Sequence, residues 1–334
     1  MTDSMRMDRV LRAFPDQLLK GWDLAAAAGQ EAGGCKRVVI AGMGGSALPA
    51  DLVQSYLRYQ RGSTLPLEVS RDYQLPPGID RRTLLIACSF SGNTEETLSA
   101  YEAGLAQGAS TIALASGGAL LARAREAGRA SVKLEVPWAG FQPRCSLGYV
   151  FGALLRVLDN AGLERSEPKI LDRAGAFLRA AQADLERAGE RLAARLRDRI
   201  VLVYASDRFG VSVARTFKIK LNENAKIPAF WSVLPELNHN EMIGLSRGAE
   251  GFVVLLLEEK DQDPRMARRF SVLARMLASI PVTVERRTLE GSDYLETALW
   301  GVLLGDWTSY HLALQSGIDP SPVDWIEEFK RRLG

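Results

Sequence analysis

The first half of the chain repeats one pattern, in which a short apolar segment leads through a turn into a segment with apolar residues at helical spacing. Short apolar runs separated by helices are typical of a parallel sheet that is covered on both faces. The first half therefore predicts a doubly wound α/β unit. Its five predicted strands are residues 37–42, 67–70, 83–88, 111–115 and 132–136.

The same pattern restarts after a mostly polar stretch, residues 163–170, which has the composition of a linker. The fold class is thus α/β, with two doubly wound parallel-sheet subdomains (αβα sandwiches) in tandem. The strands predicted in the second half are residues 199–205, 252–257 and 281–286. The predicted boundaries are an N-terminal helical segment (1–30), a first domain (31–162) and a second domain with a C-terminal helix (163–334).

Charge and cysteine content narrow the class of protein. Lys and Arg number 42 and Asp and Glu number 40 among 334 residues, and a net charge of +2 argues against nucleic acid as the main partner. Three cysteines without a CxxC pair fit a reducing compartment, and two histidines make a metal site improbable. No apolar run approaches the ~20 residues of a membrane span, and the first residues lack the apolar segment of a secretory signal. We therefore expect a cytoplasmic protein with no cofactor, metal or membrane partner.

Two turns rich in glycine and serine follow predicted strands, where open parallel sheets bind their ligands. They are residues 42–46, GMGGS, and residues 89–97, SFSGNTEET. Glycine lets backbone N–H groups approach an anion, and the N-terminus of the following helix adds free N–H groups and a partial positive charge. Serine and threonine hydroxyls donate hydrogen bonds without adding net charge. The combination suits a phosphate monoester.

Three alternative motifs fit these turns less well. No lysine follows the first turn, as a nucleotide-binding P-loop requires. Ala47 stands at the third position of a GxGxxG pattern, which leaves a dinucleotide-binding fold as an alternative. Asn93 and Glu96 have the spacing of a capping box, so the second turn also fits an ordinary helix start.

GMGGS and SFSGNTEET together resemble the sugar-isomerase (SIS) domain, which binds phosphosugars. Three further segments and the dipeptide PR at 143–144 extend the resemblance over nearly the whole chain, to the bifunctional phosphoglucose/phosphomannose isomerase family. These segments are LNENAKI (221–227), LPELNHNE (234–241) and IEEFKRRL (326–333). The resemblance implies two SIS domains and an aldose–ketose isomerase that interconverts fructose 6-phosphate with glucose 6-phosphate and mannose 6-phosphate. It assigns the substrate phosphate to Gly45, Ser46, Ser89, Ser91 and Thr94.

The resemblance also implies catalytic roles and a homodimer, in which the neighbouring subunit supplies the ring-opening histidine. The catalytic residues that it implies are the base Glu223, its electrostatic partner Arg144, and the ring-opening groups His239 and Lys330. The family carries a threonine, associated with accepting mannose 6-phosphate, near residue 321. Either the hydroxyl of Ser321 or the apolar Val323 stands at that place in this chain, so the mannose activity is less firmly implied than the glucose activity.

The residues themselves support these roles to different degrees. One carboxylate can carry a proton between C1 and C2 through a cis-enediol(ate) without a metal ion, and Glu223, between two asparagines just past a predicted helix, suits this task. Arg144 stands at a predicted helix start, where the helix dipole disfavours a cation. A cation at such an unfavourable position indicates a functional role. His239 lies in a polar loop, and histidine is a residue type suited to transferring protons. His311 lies on an apolar helix and is interpreted as structural. Lys330 lies in a terminal run of charges, and only the resemblance distinguishes it.

Two other functions stay open. The chain could be a different SIS-type isomerase, acting on a pentose, sedoheptulose or amino-sugar phosphate, or a non-catalytic phosphosugar sensor. Sensors of this type usually carry a helix-turn-helix domain, and the segment before residue 37 is too short for one. An amidotransferase would need a glutaminase-like domain with an N-terminal cysteine, which the sequence lacks. A hydride-shift isomerase would need a metal-binding cluster of carboxylates and histidine, which the sequence does not show.

Overall fold

The computed structural model describes residues 3–135, 137 and 141–333. Contacts between residues group the chain into two compact units. The N-terminal unit is Ala13–Arg179, and the C-terminal unit combines Met1–Arg12 with Ala180–Gly334. Helices α1 (Met7–Leu24) and α6 (Pro168–Leu196) each contribute residues to both units. The division within α6, after Arg179, lies later along the chain than the boundary at 162/163 expected from the sequence.

A five-stranded parallel sheet forms the centre of the N-terminal unit, with the strand order β2-β1-β3-β4-β5. The central strand β3 is buried along its whole length, as expected of a strand covered on both faces. Gly42 of β1 is paired with Cys88 of β3, so the two strands end at the same level. The strands are β1 (Arg37–Gly42), β2 (Leu67–Ser70), β3 (Thr83–Cys88), β4 (Ser110–Ala115) and β5 (Ser131–Lys133).

A helix follows each of β1, β3, β4 and β5, as in the doubly wound arrangement that the sequence predicts, whereas β2 leads to β3 without a helix between them. In addition to α1 and the first part of α6, the helices of this unit are α2 (Leu48–Tyr59), α3 (Glu95–Ala106), α4 (Gly118–Glu126) and α5 (Leu147–Asn160). Helix α6 begins at Pro168, inside the stretch expected to be a linker, because proline is well suited to the first turn of a helix.

A four-stranded parallel sheet forms the centre of the C-terminal unit, with the strand order β7-β6-β8-β9. The strands are β6 (Ile200–Ser206), β7 (Ala229–Leu234), β8 (Phe252–Glu259) and β9 (Thr283–Leu289). The helices are α7 (Asp207–Phe209), α8 (Arg215–Glu223), α9 (Glu241–Leu245), α10 (Pro264–Leu277), α11 (Tyr294–Gln315) and α12 (Asp324–Leu333). Most of α11 is buried, and it packs against α8. No helix within the described residues combines the length and the apolarity needed to cross a bilayer.

Both parallel sheets confirm the predicted fold class, and strands β1, β2 and β3 have the predicted bounds. Strand β5 ends at Lys133, earlier than predicted, and the last predicted residue, Val136, lies outside the described residues. Strand β7 was not predicted. It is an edge strand, AFWSVL, with five apolar residues of six but only its two end residues buried. It lies between Pro228 and Pro235, and flanking prolines weaken the signal for a strand.

Candidate active site

The two predicted phosphate-binding turns lie side by side in the N-terminal unit. They follow β1 and β3, which are adjacent and end in register. The hydroxyl oxygen of Ser46, in the first turn, accepts a hydrogen bond of 3.1 Å from the backbone N–H of Phe90, in the second. Because this bond uses a lone pair of Ser46, the hydroxyl hydrogen stays available for an anion.

The second turn is held in shape by the buried Ser89. Its hydroxyl lies 2.8 Å from the Thr94 hydroxyl, and its oxygen accepts bonds of 3.1 Å from Gly92 N–H and 3.4 Å from Thr94 N–H. Gly92 has a positive φ of 74°, and a Cβ there would lie 1.8 Å from the carbonyl oxygen of Gly117, so only glycine fits. Ser91 is exposed at the tip of the turn. Helix α3 begins one residue after Thr94 and directs the positive end of its dipole at this turn.

The capping-box interpretation of the second turn is wrong. Asn93 Oδ1 accepts a hydrogen bond of 2.9 Å from the backbone N–H of Ala119, at the start of α4. The N-cap position of α3 belongs to Thr94, so the Asn93 side chain joins two turns and caps neither end of α3.

Arg144 lies directly against the first turn. It is part of a 3₁₀ turn, Pro143–Cys145, just before α5, and is 2% exposed. A Cβ on Gly45 would lie 2.7 Å from the Cα of Arg144, so the close approach of these two segments depends on glycine. Arg144 Nη1 donates a hydrogen bond of 3.1 Å to Gln142 Oε1. Burial strengthens the attraction between this guanidinium and an anion, because water no longer screens it.

In the C-terminal unit, Glu223 is the last residue of α8, whereas the sequence placed it just past the helix. The side chain of Lys226, which has a positive φ of 58°, donates hydrogen bonds of 2.6 Å to the carbonyl of Glu223 and 3.2 Å to that of Pro320. Lys226 thereby caps α8 and joins its end to the segment that contains Ser321.

The residue after Glu223 is also fixed. Asn224 is fully buried, and its side-chain amide donates a hydrogen bond of 2.9 Å to the hydroxyl of Ser309 on α11. One turn before Glu223, the ammonium group of Lys220 lies 2.7 Å from a carboxylate oxygen of Asp306, also on α11, and both side chains are buried. The end of α8 is thus attached to α11 on both sides of Glu223, so its backbone is held in one position.

The other predicted residues of this unit occupy different positions. His239 ends a 3₁₀ turn, Glu236–His239, beyond the carboxyl end of β7, and is exposed. Lys330 lies on α12, exposed, and pairs with Glu327 at 2.8 Å. Ser321 is buried and Val323 is half-buried, in the segment that leads into α12. His311 stacks on Trp307 with ring centroids 5.8 Å apart, and burial lowers its pKa, as suits the structural interpretation.

Comparisons with known proteins decide the family. Residues 185–333 match the bacterial phospho-glucose isomerase C-terminal SIS domain. A bifunctional phosphoglucose/phosphomannose isomerase of Aquifex aeolicus is 36% identical over 300 residues, which cover 89% of this chain and 90% of that protein. A second, from Caldicellulosiruptor bescii, is 31% identical over 96% of each chain. The chain belongs to the bifunctional phosphoglucose/phosphomannose isomerase family.

A solved structure shares the fold of this chain. The C-terminal domain of glucosamine-fructose-6-phosphate aminotransferase from Francisella tularensis matches with a TM-score of 0.76, over 96% of this chain and 99% of that one. At 14% sequence identity the likeness concerns the fold. The predicted family and the predicted SIS fold are therefore both confirmed.

Three residues that support the candidate site of this phosphoglucose/phosphomannose isomerase family member were not identified from the sequence. The Phe90 N–H joins the two turns, the Gln142 side chain supports Arg144, and Lys226 caps α8. Phe90 and Lys226 lie within the motifs SFSGNTEET and LNENAKI, and Gln142 lies two residues before Arg144, but the sequence indicates a role for none of them. Across residues 3–135, 137 and 141–333, no group of three or more His, Cys, Asp and Glu side chains is placed to hold a metal ion.

Proposed function

We propose that this chain interconverts fructose 6-phosphate with glucose 6-phosphate and mannose 6-phosphate by moving a proton between C1 and C2 through a cis-enediol(ate), without a metal ion. The observation that carries the proposal is the pair of linked turns, with the Ser46 hydroxyl bonded to Phe90 N–H and the buried Arg144 packed against Gly45. This arrangement offers neutral donors and one cation to an anionic sugar, as a phosphohexose requires.

The phosphate would bind at the two turns, to Gly45, Ser46, Ser89, Ser91 and Thr94. Two features support this assignment. The hydroxyl oxygen of Ser46 already accepts a backbone hydrogen bond, so its hydrogen is free to point outward. The α3 N-terminus adds N–H groups that have no acceptor within the helix.

Proton transfer would be performed by Glu223. As a base it would remove the proton from one carbon, and as an acid it would return that proton to the neighbouring carbon, so that no net proton is consumed. Negative charge would develop on the enediolate oxygens, and the guanidinium of Arg144 would stabilise it as a fixed cation. The attachment of α8 to α11 supports this role, because a base must be held still relative to the substrate.

Ring opening would precede this step and would use His239 and Lys330, which transfer protons between the anomeric hydroxyl and the ring oxygen. We propose that the active form is a homodimer in which the neighbouring subunit supplies His239. The exposure of His239 supports this arrangement, since its imidazole is accessible from outside its own chain. We also propose that the segment containing Ser321 and Val323 sets the preference between hexose epimers.

The proposed site of action is the cytoplasm, in the hexose phosphate steps shared by glycolysis and gluconeogenesis. The cysteines support a reducing compartment, because Cys35, Cys88 and Cys145 are all free and buried. Burial raises the pKa of Cys88 to about 12, which keeps this thiol protonated and unreactive.

The experiment that tests the function supplies fructose 6-phosphate in excess EDTA and measures glucose 6-phosphate and mannose 6-phosphate separately. We expect both products, at a rate that EDTA leaves unchanged. Glucose 6-phosphate alone would remove the dual specificity and direct attention to Ser321 and Val323. If neither product forms but a phosphosugar raises the melting temperature, the chain is a sensor or acts on another phosphosugar.

Replacing Gly45 with alanine tests the phosphate site. The added Cβ would lie 2.7 Å from the Cα of Arg144, which forces the two segments apart. We expect kcat/KM for fructose 6-phosphate to fall by about 10²-fold, because displacements of about 1 Å have effects of this size. Gly33→Ala is the matched control, since a Cβ there meets no atom closer than 3.9 Å. Equal kinetics for the two variants would argue against a phosphate site at this turn.

A further inference from the structure

A cleft in the C-terminal unit lies between helix α10 and the turn that contains His239. Its volume is about 420 Å³, which is within the range of small-molecule sites. All of its lining residues belong to this one unit, since they come from the turn Glu236–His239, from α9 and from α10. Neither the proposed phosphate-binding turns nor Glu223 is part of it.

Three arginines stand at one end of this cleft. Arg265, Arg268 and Arg269 all line it, and α10 carries no acidic residue. Arg265 pairs with Asp263 at 3.1 Å, and Arg269 Nη1 donates a hydrogen bond of 3.3 Å to the neutral amide oxygen of Asn238. Within the described part of the chain, neither Arg268 nor Arg269 pairs with a carboxylate. The cleft therefore holds two cations whose charge is not neutralised, which favours an anionic ligand.

The other end of the cleft is apolar. Met242, Val272 and Met276 line it, and Val272 and Met276 are 38% and 50% exposed. Arg269, Val272 and Met276 follow one another at intervals of three and four residues, so they lie along one face of α10. Seven residues of helix separate Arg269 from Met276 by ~10 Å. A ligand that fills the cleft thus carries negative charge at one end and an apolar group at the other.

We propose that this cleft binds a nucleoside di- or triphosphate. The guanidinium groups of Arg268 and Arg269 would hold its phosphates, because the planar fork of arginine matches two phosphate oxygens at once. The base would lie against Met242 and Met276, whose polarisable sulfur atoms make favourable contacts with flat aromatic rings. A sugar phosphate, the class of substrate proposed for this chain, would leave the apolar end of the cleft empty.

The cleft is connected to the turn that carries His239. Asn238, which accepts the hydrogen bond from Arg269, is the residue directly before His239. A phosphate would compete for this guanidinium, because a charged acceptor forms a stronger hydrogen bond than a neutral amide oxygen does. A bound nucleotide would thereby release the turn and lower the kcat of isomerisation. This last step rests on the proposed function, in which His239 opens the sugar ring.

Calorimetric titration of the full chain with ATP, tripolyphosphate and adenosine tests the ligand class. We expect ATP to bind with a dissociation constant below ~1 mM. Tripolyphosphate lacks the base and adenosine lacks the charge, so each should bind at least about tenfold more weakly than ATP. Tripolyphosphate that binds as tightly as ATP would overturn the assignment to a nucleotide, since the arginines would then recognise charge alone. No binding of ATP would overturn the site.

Two variants that remove one charge each test the location. Arg268→Gln and Arg269→Gln are each expected to raise the dissociation constant for ATP about tenfold, because each removes a charge-assisted contact with the phosphates. The matched control is Arg275→Gln, which makes the same change on α10 outside the cleft and should leave ATP binding unchanged. If both cleft variants bind ATP as tightly as the wild type, the nucleotide binds elsewhere and the proposal is wrong.

Steady-state kinetics with fructose 6-phosphate test the connection to His239. Saturating ATP is expected to lower kcat about fivefold, and the Arg269→Gln variant should lose this response. A rise in KM with kcat unchanged would mean that ATP competes for the proposed phosphate site, and would overturn the regulatory role. A chain that binds ATP in this cleft but isomerises no hexose phosphate would refute the proposed function alone.

Discussion

Replacing Glu223 with glutamine is expected to lower the rate of fructose 6-phosphate isomerisation by about 10³-fold. Glutamine keeps the size of the side chain and one acceptor oxygen, but its amide cannot accept a proton from C1 or C2. Binding should change much less than catalysis, because the phosphate is assigned to the turns of the other unit. The measurement is the steady-state kinetics of both product-forming directions, with kcat and KM determined separately.

The matched control is Glu250→Gln, which makes the same chemical change at an exposed glutamate of the same unit. It should retain wild-type kinetics, and both variants should melt at the wild-type temperature. If the Glu223 variant keeps more than a tenth of the activity, the base is another residue. If its KM rises while kcat is unchanged, Glu223 contacts the sugar without transferring the proton.

The fold was predictable where one physical signal was strong. Strands β1 and β3 are continuous apolar runs because both faces of a central parallel strand are buried, and their bounds agree with the sequence prediction. Strand β7 lies at a sheet edge, and its apolar run is interrupted by Ser232 and bounded by Pro228 and Pro235, so the sequence did not identify it as a strand. It matters for the proposed function, since the turn with His239 follows it directly.

The residues of the proposed site can be selected from the sequence, but their arrangement cannot. The sequence singled out the GMGGS turn and Arg144, yet nothing in it indicates that Gly45 and Arg144 are in contact. Asn93 illustrates the converse. Its local spacing predicted a helix cap, but its side chain instead accepts a hydrogen bond from Ala119, which is distant in sequence. Tertiary contacts of this kind depend on how the strands are ordered, which local patterns do not record.

The buried ion pair between Lys220 and Asp306 gives the second large expected effect. Both side chains are almost fully buried, at 1% and 2% exposure, and they join α8 to α11 at 2.7 Å. Lys220→Met keeps most of the side-chain volume but leaves the Asp306 carboxylate buried without its cation. We expect the free energy of unfolding to fall by about 3–5 kcal/mol, the usual result of removing one partner of such a pair. Urea unfolding measures the change in the free energy of unfolding. Hydrogen exchange in peptides from α8 and α11 then shows whether the loss of stability is located at these helices.

The double variant Lys220→Met with Asp306→Leu separates charge from packing. Removing both charges removes the desolvation cost that opposes the pair, so the double variant should recover most of the lost stability. Arg265→Met, which breaks an exposed pair with Asp263, should cause no measurable loss. A double variant as unstable as the single one would mean that shape, not charge, joins the two helices. If the double variant is stable but isomerises slowly, the pair positions Glu223 at the end of α8 as well as stabilising the unit.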